Sequence, residues 1–561
     1  MKMIKNLLAC AVMFTAFTSC RHEELKEINA DYSVQEMSIG RKLGNPYSVK
    51  NMAKAYSDIM NDSKISKSNA MGKESNHFDV KTTHLYVMYK FQNEEEYANF
   101  KADSTIISFD YPLDYEFTDE ELEARPALPE GELPTLYATI KADSDVKDKY
   151  PYKLLEELYI PEEDEFFEET DGNAEKSVNP NSISSRSDLL THLLVRAYEN
   201  TGNVYEVTTN HENRWIFGRK WYPSGRILVH DDVIGKDVPV VGAQVLIRQW
   251  FTVRQAITDG NGSFTAGSVR GRAKYVLQWE RYHYSIRNGS FFQAETKSST
   301  KNREAWYPTL NNDRDKYFAI IHQAAHDYYY GHRLGLQSPP MNNHFYPFIG
   351  RLGQIKIAAR LTTNHSVPSS FSHIRNELTF GLLAQVHVKK YKEPADEIYG
   401  TTIHELAHAA HSIVDRASYD NLVRDSFLSF SSQTRNRNRR LIESWAVTVE
   451  ILLTLDRYKN KYNLGYYSLY NKKRRNNFQM YRIMDSNSYT SGGYDMIDDY
   501  NQRAHHGESY PMDRVKNYTP RQLEDALVGA RHWYQWRDNV KRRYHNPTSV
   551  YLDELFSNWQ D

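Results

Sequence analysis

The first stretch with a regular alternation of apolar and polar residues begins near residue 84. A strand-like run at 84–91 is followed by a helix-like run at 94–100 and by a second strand-like run at 106–109. We predict from these runs a small α+β domain over 81–161. The preceding segment, 20–80, is polar, rich in Ser, Asn and Lys, and has no sustained apolar period, so it is predicted to be a tether.

Short apolar runs separated by Gly and Pro dominate the middle of the chain. They occupy positions 225–277, and their spacing favours an antiparallel β-sandwich over 219–300. The acidic and polar segment at 162–186 cannot support a core and is predicted to be a linker. Residues 187–218, which begin with a short apolar run, are predicted to form a helix and a connector.

From residue 301 to residue 561 apolar residues recur mostly at helical spacing. The clearest case is 313–330, and strand-like runs occur at 354–358 and 381–388. We therefore predict a mostly helical C-terminal domain with a small sheet over 301–561. The chain as a whole is predicted to be a multidomain α+β protein, which agrees with its length of 561 residues.

Charge is nearly balanced over the chain but unevenly distributed. The 70 Lys and Arg residues and the 72 Asp and Glu residues give a net charge of -2. Residues 90–175 contain 26 acidic and 7 basic residues, a balance of -19, so the remainder carries +17. The near-neutral total gives no indication of a nucleic-acid partner. The arginines at 435–440 are interpreted as a solvated helix start or as a docking surface for the acidic domain.

The two cysteines both lie within the first 20 residues. Residues 1–19 contain Lys2 and Lys5, then an apolar run and a small residue before Cys20, which is typical of an export signal too short to span a membrane. This segment resembles the signal of Bacteroides-type lipoproteins, which are cut before the cysteine and acylated on its sulfur. The resemblance implies a signal peptide at 1–19, lipidation at Cys20 and a lipid-anchored location in the bacterial cell envelope. A chain beginning at Cys20 has no other thiol, which excludes disulfides and thiolate metal sites.

A metal-binding pattern occurs within a predicted helix. His404 and His408 are four residues apart in the run His-Glu-x-x-His, so both imidazoles project from one helix face, about 6 Å apart along the axis, and can share a metal ion. Glu405, next to the first histidine, is placed to accept a proton from metal-bound water. The sequence thus predicts a zinc site with Glu405 as its general base.

A catalytic zinc ion needs a third protein ligand. His411 and Asp415 are candidates, but an unbroken helix would carry them too far along its axis from His404. Glu443 is the first glutamate after the pattern and lies in a run of buried helical residues, where a carboxylate needs a partner that zinc would provide. Glu450, on the same predicted helix, is a competing ligand or a surface residue.

This region of roughly 250 residues resembles the gluzincins, the thermolysin-like class of zinc metallopeptidases. The resemblance implies a zincin-like fold in which His404, His408 and Glu443 hold zinc and Glu405 is the general base. The chain departs from thermolysin in the longer interval before Glu443, which indicates an inserted segment at 416–437.

Two further features of the family pattern stay open. Val447 stands where the family places a carboxylate that orients a ligand histidine, so the group with that role is not identified. The family also places a phenol or an imidazole that stabilises the oxyanion after the third ligand. Tyr489, Tyr494 and Tyr500 are all candidates, and their spacing selects none of them.

The β-rich segment carries a second resemblance. The runs Val-Pro-Val-Val-Gly-Ala-Gln-Val at 238–245 and Thr-Asp-Gly-Asn-Gly-Ser-Phe at 258–264 resemble the carboxypeptidase regulatory-like, transthyretin-like β-sandwich, a module that is usually a spacer. Residues 259–263 are also compatible with the start of a calcium loop, but Phe264 and Arg270 stand where such a loop requires Gly and Glu. A hairpin turn is therefore the preferred interpretation.

These features together predict a lipid-anchored zinc metallopeptidase that acts on protein or peptide substrates. No exopeptidase motif precedes the zinc helix, so an endopeptidase is expected. The alternative is a noncatalytic surface lipoprotein in which zinc is structural and the β-sandwich recognises a glycan or a protein. Glu405 separates the two hypotheses, since a structural zinc site has no use for a carboxylate beside the metal.

Overall fold

The structure is a computed structural model. It describes residues 40–67, 78–162, 181–208, 220–340, 345–346, 350–351, 354–363, 369–371, 385–464 and 478–559, except for residues 104, 119–120, 122–124, 126–132, 290–291 and 300. The predicted signal peptide, Cys20 and most of the predicted linker lie outside the described residues. Within the described residues, no helix is long and apolar enough to cross a membrane.

Helices and strands alternate along the described chain, and the long helices are concentrated after residue 313. The helices are α1 (Val49–Asn61), α2 (Glu94–Ala102), α3 (Arg186–Asn200), α4 (Asp313–Tyr330), α5 (Ala395–Val414), α6 (Arg416–Leu428), α7 (Ser432–Leu455), α8 (Gly492–Asp495), α9 (Gln502–His506), α10 (Pro520–Asp525), α11 (Trp533–Arg543) and α12 (Leu552–Ser557). The strands are β1 (Arg41–Lys42), β2 (Ser66–Lys67), β3 (His84–Tyr89), β4 (Ser108–Phe109), β5 (Tyr115–Glu116), β6 (Leu136–Lys141), β7 (Lys153–Leu158), β8 (Ser182–Ile183), β9 (Lys220–Trp221), β10 (Ser224–Arg226), β11 (Leu228–Asp231), β12 (Lys236–Pro239), β13 (Gln244–Gln249), β14 (Thr252–Ile257), β15 (Ser263–Thr265), β16 (Val269–Arg270), β17 (Lys274–Gln278), β18 (Tyr284–Asn288), β19 (Phe292–Gln293), β20 (Glu295–Lys297), β21 (Thr309–Leu310), β22 (Phe345–Tyr346), β23 (Gly350–Arg351), β24 (Ile355–Ala359), β25 (Ser370–Phe371) and β26 (Val386–Val388). The protein thus has mixed α and β structure, with several small sheets and a helical C-terminal region, and this part of the predicted fold class is confirmed.

The N-terminal sheet has the strand order β4-β6-β3-β7 and is antiparallel throughout. Successive residues of β3 point to opposite faces of this sheet. Val87 belongs to a core that includes residues of α2, whereas Tyr86 packs against Phe251 of the β-rich region, with ring centroids 4.9 Å apart. The sheet is therefore covered on one face by its own helix and on the other by the β-rich region.

The segment predicted to be a tether is partly folded. Helix α1 buries Met52, Ala55 and Ile59, which are spaced as on one face of an amphipathic helix, and it packs against α3. The tether prediction is therefore wrong for residues 49–61. The helical period there is hard to detect because a few apolar residues are set in an otherwise polar segment.

The β-rich region is built on an antiparallel sheet of order β14-β13-β17-β20, with smaller sheets β12-β11-β21 and β10-β15 beside it. The turn at 259–263 connects β14 to β15. Oδ1 of Asp259 accepts hydrogen bonds from the backbone N–H groups of Asn261 at 2.8 Å and Ser263 at 2.9 Å. The Asp259 carboxylate thus closes a turn, although β15 pairs with β10 rather than with β14.

The boundary predicted at residue 300 does not separate the β-rich region from the C-terminal region. Strand β18, which lies in the predicted sandwich, pairs in parallel with β24 in a sheet of order β19-β18-β24-β26-β25. The predicted boundary is therefore wrong, because strands from both sides of it share one sheet. Local periodicity identifies a strand but not its partner, which is why the shared sheet is not evident in the sequence.

A buried guanidinium fixes the end of α7 to both neighbouring regions. Arg457 donates a hydrogen bond of 2.6 Å to Oε1 of Gln323 on α4. The same guanidinium lies 3.4 Å from Asp231 of β11 and 3.5 Å from Asp327 of α4. A buried charge is stable only with such partners in place, so α7 has a defined position against α4 and β11.

Candidate metal centre

Helix α5 supplies both histidines of the predicted pattern. Nearly all of its residues are buried, and it packs against α4, α7 and β26. His404 and His408 are one turn apart, and their ring centroids are separated by 4.8 Å. The apolar residues of α5 belong to the main core, so the two imidazoles are held on a rigid helix that faces α7.

Glu443 of α7 faces both histidines. Its Oε2 lies 3.2 Å from Nε2 of His404 and 3.3 Å from Nε2 of His408. One ligand atom from each of these side chains lies within 4.8 Å of the others. The side chain of Glu443 is 19% exposed, and those of the histidines are 8% and 9% exposed. Two imidazole nitrogens and a carboxylate oxygen thus form a cluster compatible with a metal ion, accessible from the side of the carboxylate.

Glu450 lies behind His404 and is neither a ligand of this cluster nor a surface residue. Its Oε2 is 3.1 Å from Nδ1 of His404, and its side chain is buried. A carboxylate that accepts a hydrogen bond from Nδ1–H selects the tautomer whose Nε2 can bind a metal. Glu450 thus occupies the orienting position that the sequence leaves open, while Val447 is buried in a small apolar cluster.

Glu450 approaches α5 closely at Gly400, where a larger residue would displace its carboxylate. A Cβ atom at Gly400 would lie 2.8 Å from Oε1 of Glu450, closer than such atoms approach in proteins. Gly400 is one turn before His404, so the gap that admits the carboxylate lies directly beside the imidazole.

The carboxyl group of Glu405 is buried next to the cluster. Its Oε2 has no hydrogen-bond partner among the described residues. The pKa of Glu405 is raised to about 7, mainly by burial and in part by the charges of Glu443 and Glu450, against the two histidines, which lower it. A carboxyl group with a pKa near neutrality can both accept and release a proton.

Of the three candidate tyrosines, Tyr489 reaches the cluster. Its hydroxyl forms a hydrogen bond with Glu443, and its ring lies 5.8 Å from the imidazole of His404. The negative charge of Glu443, together with burial, holds the pKa of Tyr489 well above its ordinary value. Tyr500 instead bonds to His506, and Tyr494 lies near two aspartates outside the cluster.

Helix α7 also holds the segment that carries Tyr489. Arg440 is fully buried and donates from Nε to the carbonyl oxygen of Asn487 at 2.7 Å. Ser444 donates to the carbonyl oxygen of Ser488 at 3.0 Å. Helix α7 therefore supplies Glu443 and also fixes the backbone next to Tyr489.

The arginines at 435–440 include residues with partners elsewhere in the C-terminal region. Arg440 also donates to the carbonyl oxygen of Trp559 at 2.8 Å, and Arg439 lies over the ring of Phe427. The acidic domain contacts the β-rich region instead, through pairs that include Lys101 with Glu280 and Tyr111 with Glu295. Arg439 and Arg440 thus have partners within the C-terminal region, whereas the described contacts of the acidic domain named above are with the β-rich region.

The other histidine and carboxylate near the pattern lie outside the cluster. The ring of His411 packs against Tyr419, with centroids 4.8 Å apart. Asp415 accepts hydrogen bonds from the backbone N–H groups of Ser418 at 3.3 Å and Gly529 at 2.8 Å, so it caps α6. Neither side chain is close enough to share an ion with His404.

Tyr419 is a neighbour of the cluster that the sequence does not reveal. It lies on α6, within the segment interpreted as an insertion. Burial raises its pKa well above the ordinary value, and the charges of Glu443 and Glu405 raise it further, so its hydroxyl lies within their electrostatic range. With 41 tyrosines in the chain, no local signal distinguishes this one.

A cavity of about 710 Å³ lies between the N-terminal domain and the β-rich region, away from the metal cluster. Its lining includes His84, Arg254 and Arg270, together with Lys141, which pairs with Glu162 of the same lining at 3.8 Å. None of the lining residues belongs to the metal cluster, so the cavity and the metal cluster are separate features of the fold.

Comparison with protein-family models and with curated proteins finds no match for this chain. No family membership is therefore assigned. The resemblance to gluzincins remains a prediction, and the structure shows a cluster of His404, His408 and Glu443 that is compatible with a metal ion.

Proposed function

We propose that the protein is a zinc-dependent metallopeptidase of the gluzincin type, an endopeptidase acting on protein or peptide substrates. The convergence of Nε2 of His404, Nε2 of His408 and the carboxylate of Glu443, with Glu405 beside them, supports this proposal. Structural zinc sites are closed by four protein ligands, whereas two histidines and one glutamate leave a position for water or substrate.

The residues around the cluster suit the steps of peptide hydrolysis. Zinc bound here would lower the pKa of a water molecule and polarise the scissile carbonyl group. Glu405 accepts the proton of the attacking water and transfers it to the leaving amine. The hydroxyl of Tyr489 donates a hydrogen bond to the carbonyl oxygen as negative charge develops there. Glu450 keeps His404 in the required tautomer.

The decisive experiment is the Glu405→Gln variant, which keeps the shape of the side chain but removes its basicity. We expect it to retain zinc and thermal stability while losing about 10²- to 10⁴-fold in the cleavage rate of a peptide library. Glu397→Gln is the matched control, since Glu397 is a buried glutamate of the same helix outside the cluster. Unchanged turnover in Glu405→Gln would contradict the proposal.

Ligand recognition without catalysis is the second candidate function, and the cavity beside the β-rich region favours it. The cationic side chains of Lys141, Arg254 and Arg270 outnumber the one carboxylate of its lining, Glu162, so the cavity would suit an acidic glycan or peptide. If zinc-loaded wild-type protein cleaves no peptide in a diverse library yet binds acidic glycans or peptides with the same affinity after zinc removal, this second function is supported and the peptidase proposal fails.

We propose further that the mature chain begins at Cys20 and is held in the bacterial cell envelope by lipid. The proposal rests on the charged start, apolar run and small residue that precede Cys20. Metabolic labelling with a fatty acid tests it. The wild-type chain should carry the label and sediment with membranes, whereas Cys20→Ala should carry none.

A further inference from the structure

A second group of acidic side chains lies outside the metal centre. Asp495 is at the end of α8, Asp498 follows it by three residues, and Asp513 lies in the segment after α9. One carboxylate oxygen from each lies within 4.8 Å of the others, and Asp495 and Asp513 are buried. The proposed peptidase chemistry uses none of them.

Only one of the two oxygens of the buried Asp513 carboxylate has a hydrogen-bond partner among the described residues. Its Oδ1 accepts a hydrogen bond of 2.9 Å from the backbone N–H of Val515, but its buried Oδ2 has no partner among the described residues. The arginines nearest in sequence, Arg503 and Arg514, pair with glutamates elsewhere. A buried carboxylate oxygen without a donor or a cation is costly, so this atom requires a ligand.

Gln502, a neutral residue outside the acidic group, provides an independent indication. Its side chain is completely buried, and its Nε2 donates to Oδ1 of Asp495 at 2.7 Å. Its Oε1 is buried and has no hydrogen-bond donor among the described residues. Because the oxygen and nitrogen of an amide share one carbon, this unpartnered oxygen lies near the carboxylate of Asp495.

We propose that Asp495, Asp498 and Asp513 bind a calcium ion, with the amide oxygen of Gln502 as a neutral ligand. Calcium takes six to eight oxygen ligands from carboxylates and amide carbonyls in flexible geometry, whereas magnesium demands a regular octahedron and keeps most of its water. A set of anionic and amide oxygens from separate segments of the chain suits calcium better. The proposal is independent of the proposed peptidase activity.

Calcium in this position would tie together three segments of the C-terminal region. Asp495 already accepts hydrogen bonds from Gln479 at 2.8 Å and from Ser491 at 2.8 Å. Ser491 is two residues after Tyr489, so the ion would stabilise the segment from which Tyr489 reaches the metal cluster. Calcium binding should therefore stabilise the folded chain.

The test measures thermal unfolding of the full mature protein, purified with its zinc, as calcium is added without a chelator. We expect the Tm to rise with each tenfold increase in free calcium, and magnesium at the same concentrations to have a much smaller effect. Terbium luminescence sensitised by nearby tyrosines should report the same site, since Tyr494 lies within electrostatic range of Asp495 and Asp498.

Three variants show whether the calcium response comes from this group of aspartates. Asp513→Asn should abolish the calcium-dependent rise in Tm, whereas Asp499→Asn, an exposed neighbour, should keep it. Glu443→Gln should also keep it, because that variant alters only the zinc ligands. The proposal would be overturned if calcium did not change the wild-type Tm and Asp513→Asn were more stable than the wild type. That result would indicate that the aspartates share a proton instead of binding a cation. An equal response to magnesium would overturn the choice of calcium.

Discussion

Glu450 and Glu443 hold opposite sides of the same imidazole. Oε2 of Glu450 lies 3.1 Å from Nδ1 of His404, and Oε2 of Glu443 lies 3.2 Å from Nε2 of that ring. The two glutamates are seven residues apart on α7, which is about two helical turns, so they share one face. One helix therefore provides both a candidate ligand and the group that orients the neighbouring ligand.

Replacing Glu450 should weaken metal binding without removing a ligand. We expect Glu450→Gln to lower zinc affinity about 10- to 100-fold, because the imidazole loses its charged hydrogen-bond acceptor. Competition with a chromophoric chelator measures this change. Gly400→Ala should lower the affinity in the same direction, since its methyl group would displace Oε1 of Glu450. Unchanged affinity in Glu450→Gln would rule out the orienting role.

Zinc stoichiometry should distinguish the third ligand from the neighbouring histidine. We expect one zinc ion per wild-type chain and a strong loss of occupancy in Glu443→Gln. His411→Ala should retain the ion, because His411 packs against Tyr419 and lies outside the cluster. Metal analysis after dialysis measures the zinc content per chain. Full zinc occupancy in Glu443→Gln would exclude Glu443 as a ligand.

Removing the hydroxyl of Tyr489 should affect catalysis more than binding. We expect Tyr489→Phe to lower kcat about 10²- to 10³-fold, as for loss of an oxyanion donor, while KM and zinc content change little. Tyr500→Phe is the control, since that hydroxyl bonds to His506 away from the cluster. Equal activity of both variants would show that Tyr489 has no catalytic role.

The hydrogen bond from Ser444 should matter for activity beyond its contribution to stability. Ser444→Ala and Ser412→Ala each remove one buried hydroxyl, which costs about 1 kcal/mol in the free energy of unfolding. Among the described residues, Ser412 bonds within its own helix, whereas Ser444 bonds to the carbonyl oxygen of Ser488 and to the hydroxyl of Thr490, on either side of Tyr489. Because Ser444 makes one hydrogen bond more than Ser412, urea unfolding should show Ser444→Ala to be the less stable variant by about 1 kcal/mol. Peptide cleavage under conditions in which both variants are folded should show a lower kcat for Ser444→Ala alone. Similar kcat values would contradict a positioning role.

The residues of the metal cluster are largely foreseeable because their signals are local. A spacing of four residues places His404 and His408 on one helix face, and the apolar run around Glu443 indicates a buried helix that needs a partner for its carboxylate. The structure brings these three side chains together. The helical spacing at 313–330 likewise predicts α4 with both of its ends.

The roles of Glu450 and Tyr489 cannot be predicted from the sequence, because they depend on contacts between distant segments. The role of Glu450 follows from how closely α7 approaches Gly400, and sequence spacing does not give that distance. The selection of Tyr489 depends on hydrogen bonds from Arg440 and Ser444 to backbone carbonyls more than 40 positions away. The pairing of β18 with β24 likewise cannot be predicted, since the residue pattern of a strand does not indicate which strand it pairs with.

The bond between Arg440 and the carbonyl oxygen of Trp559 links α7 to a residue 119 positions later. All three candidate ligands are synthesised long before that tryptophan. A nascent or shortened chain lacking this residue could gather the ligands but would leave Arg440 with a buried charge and a missing acceptor. On the proposed function, the alignment of Glu443 with Tyr489, which Arg440 helps to hold, would then depend on one of the last residues that the structure describes.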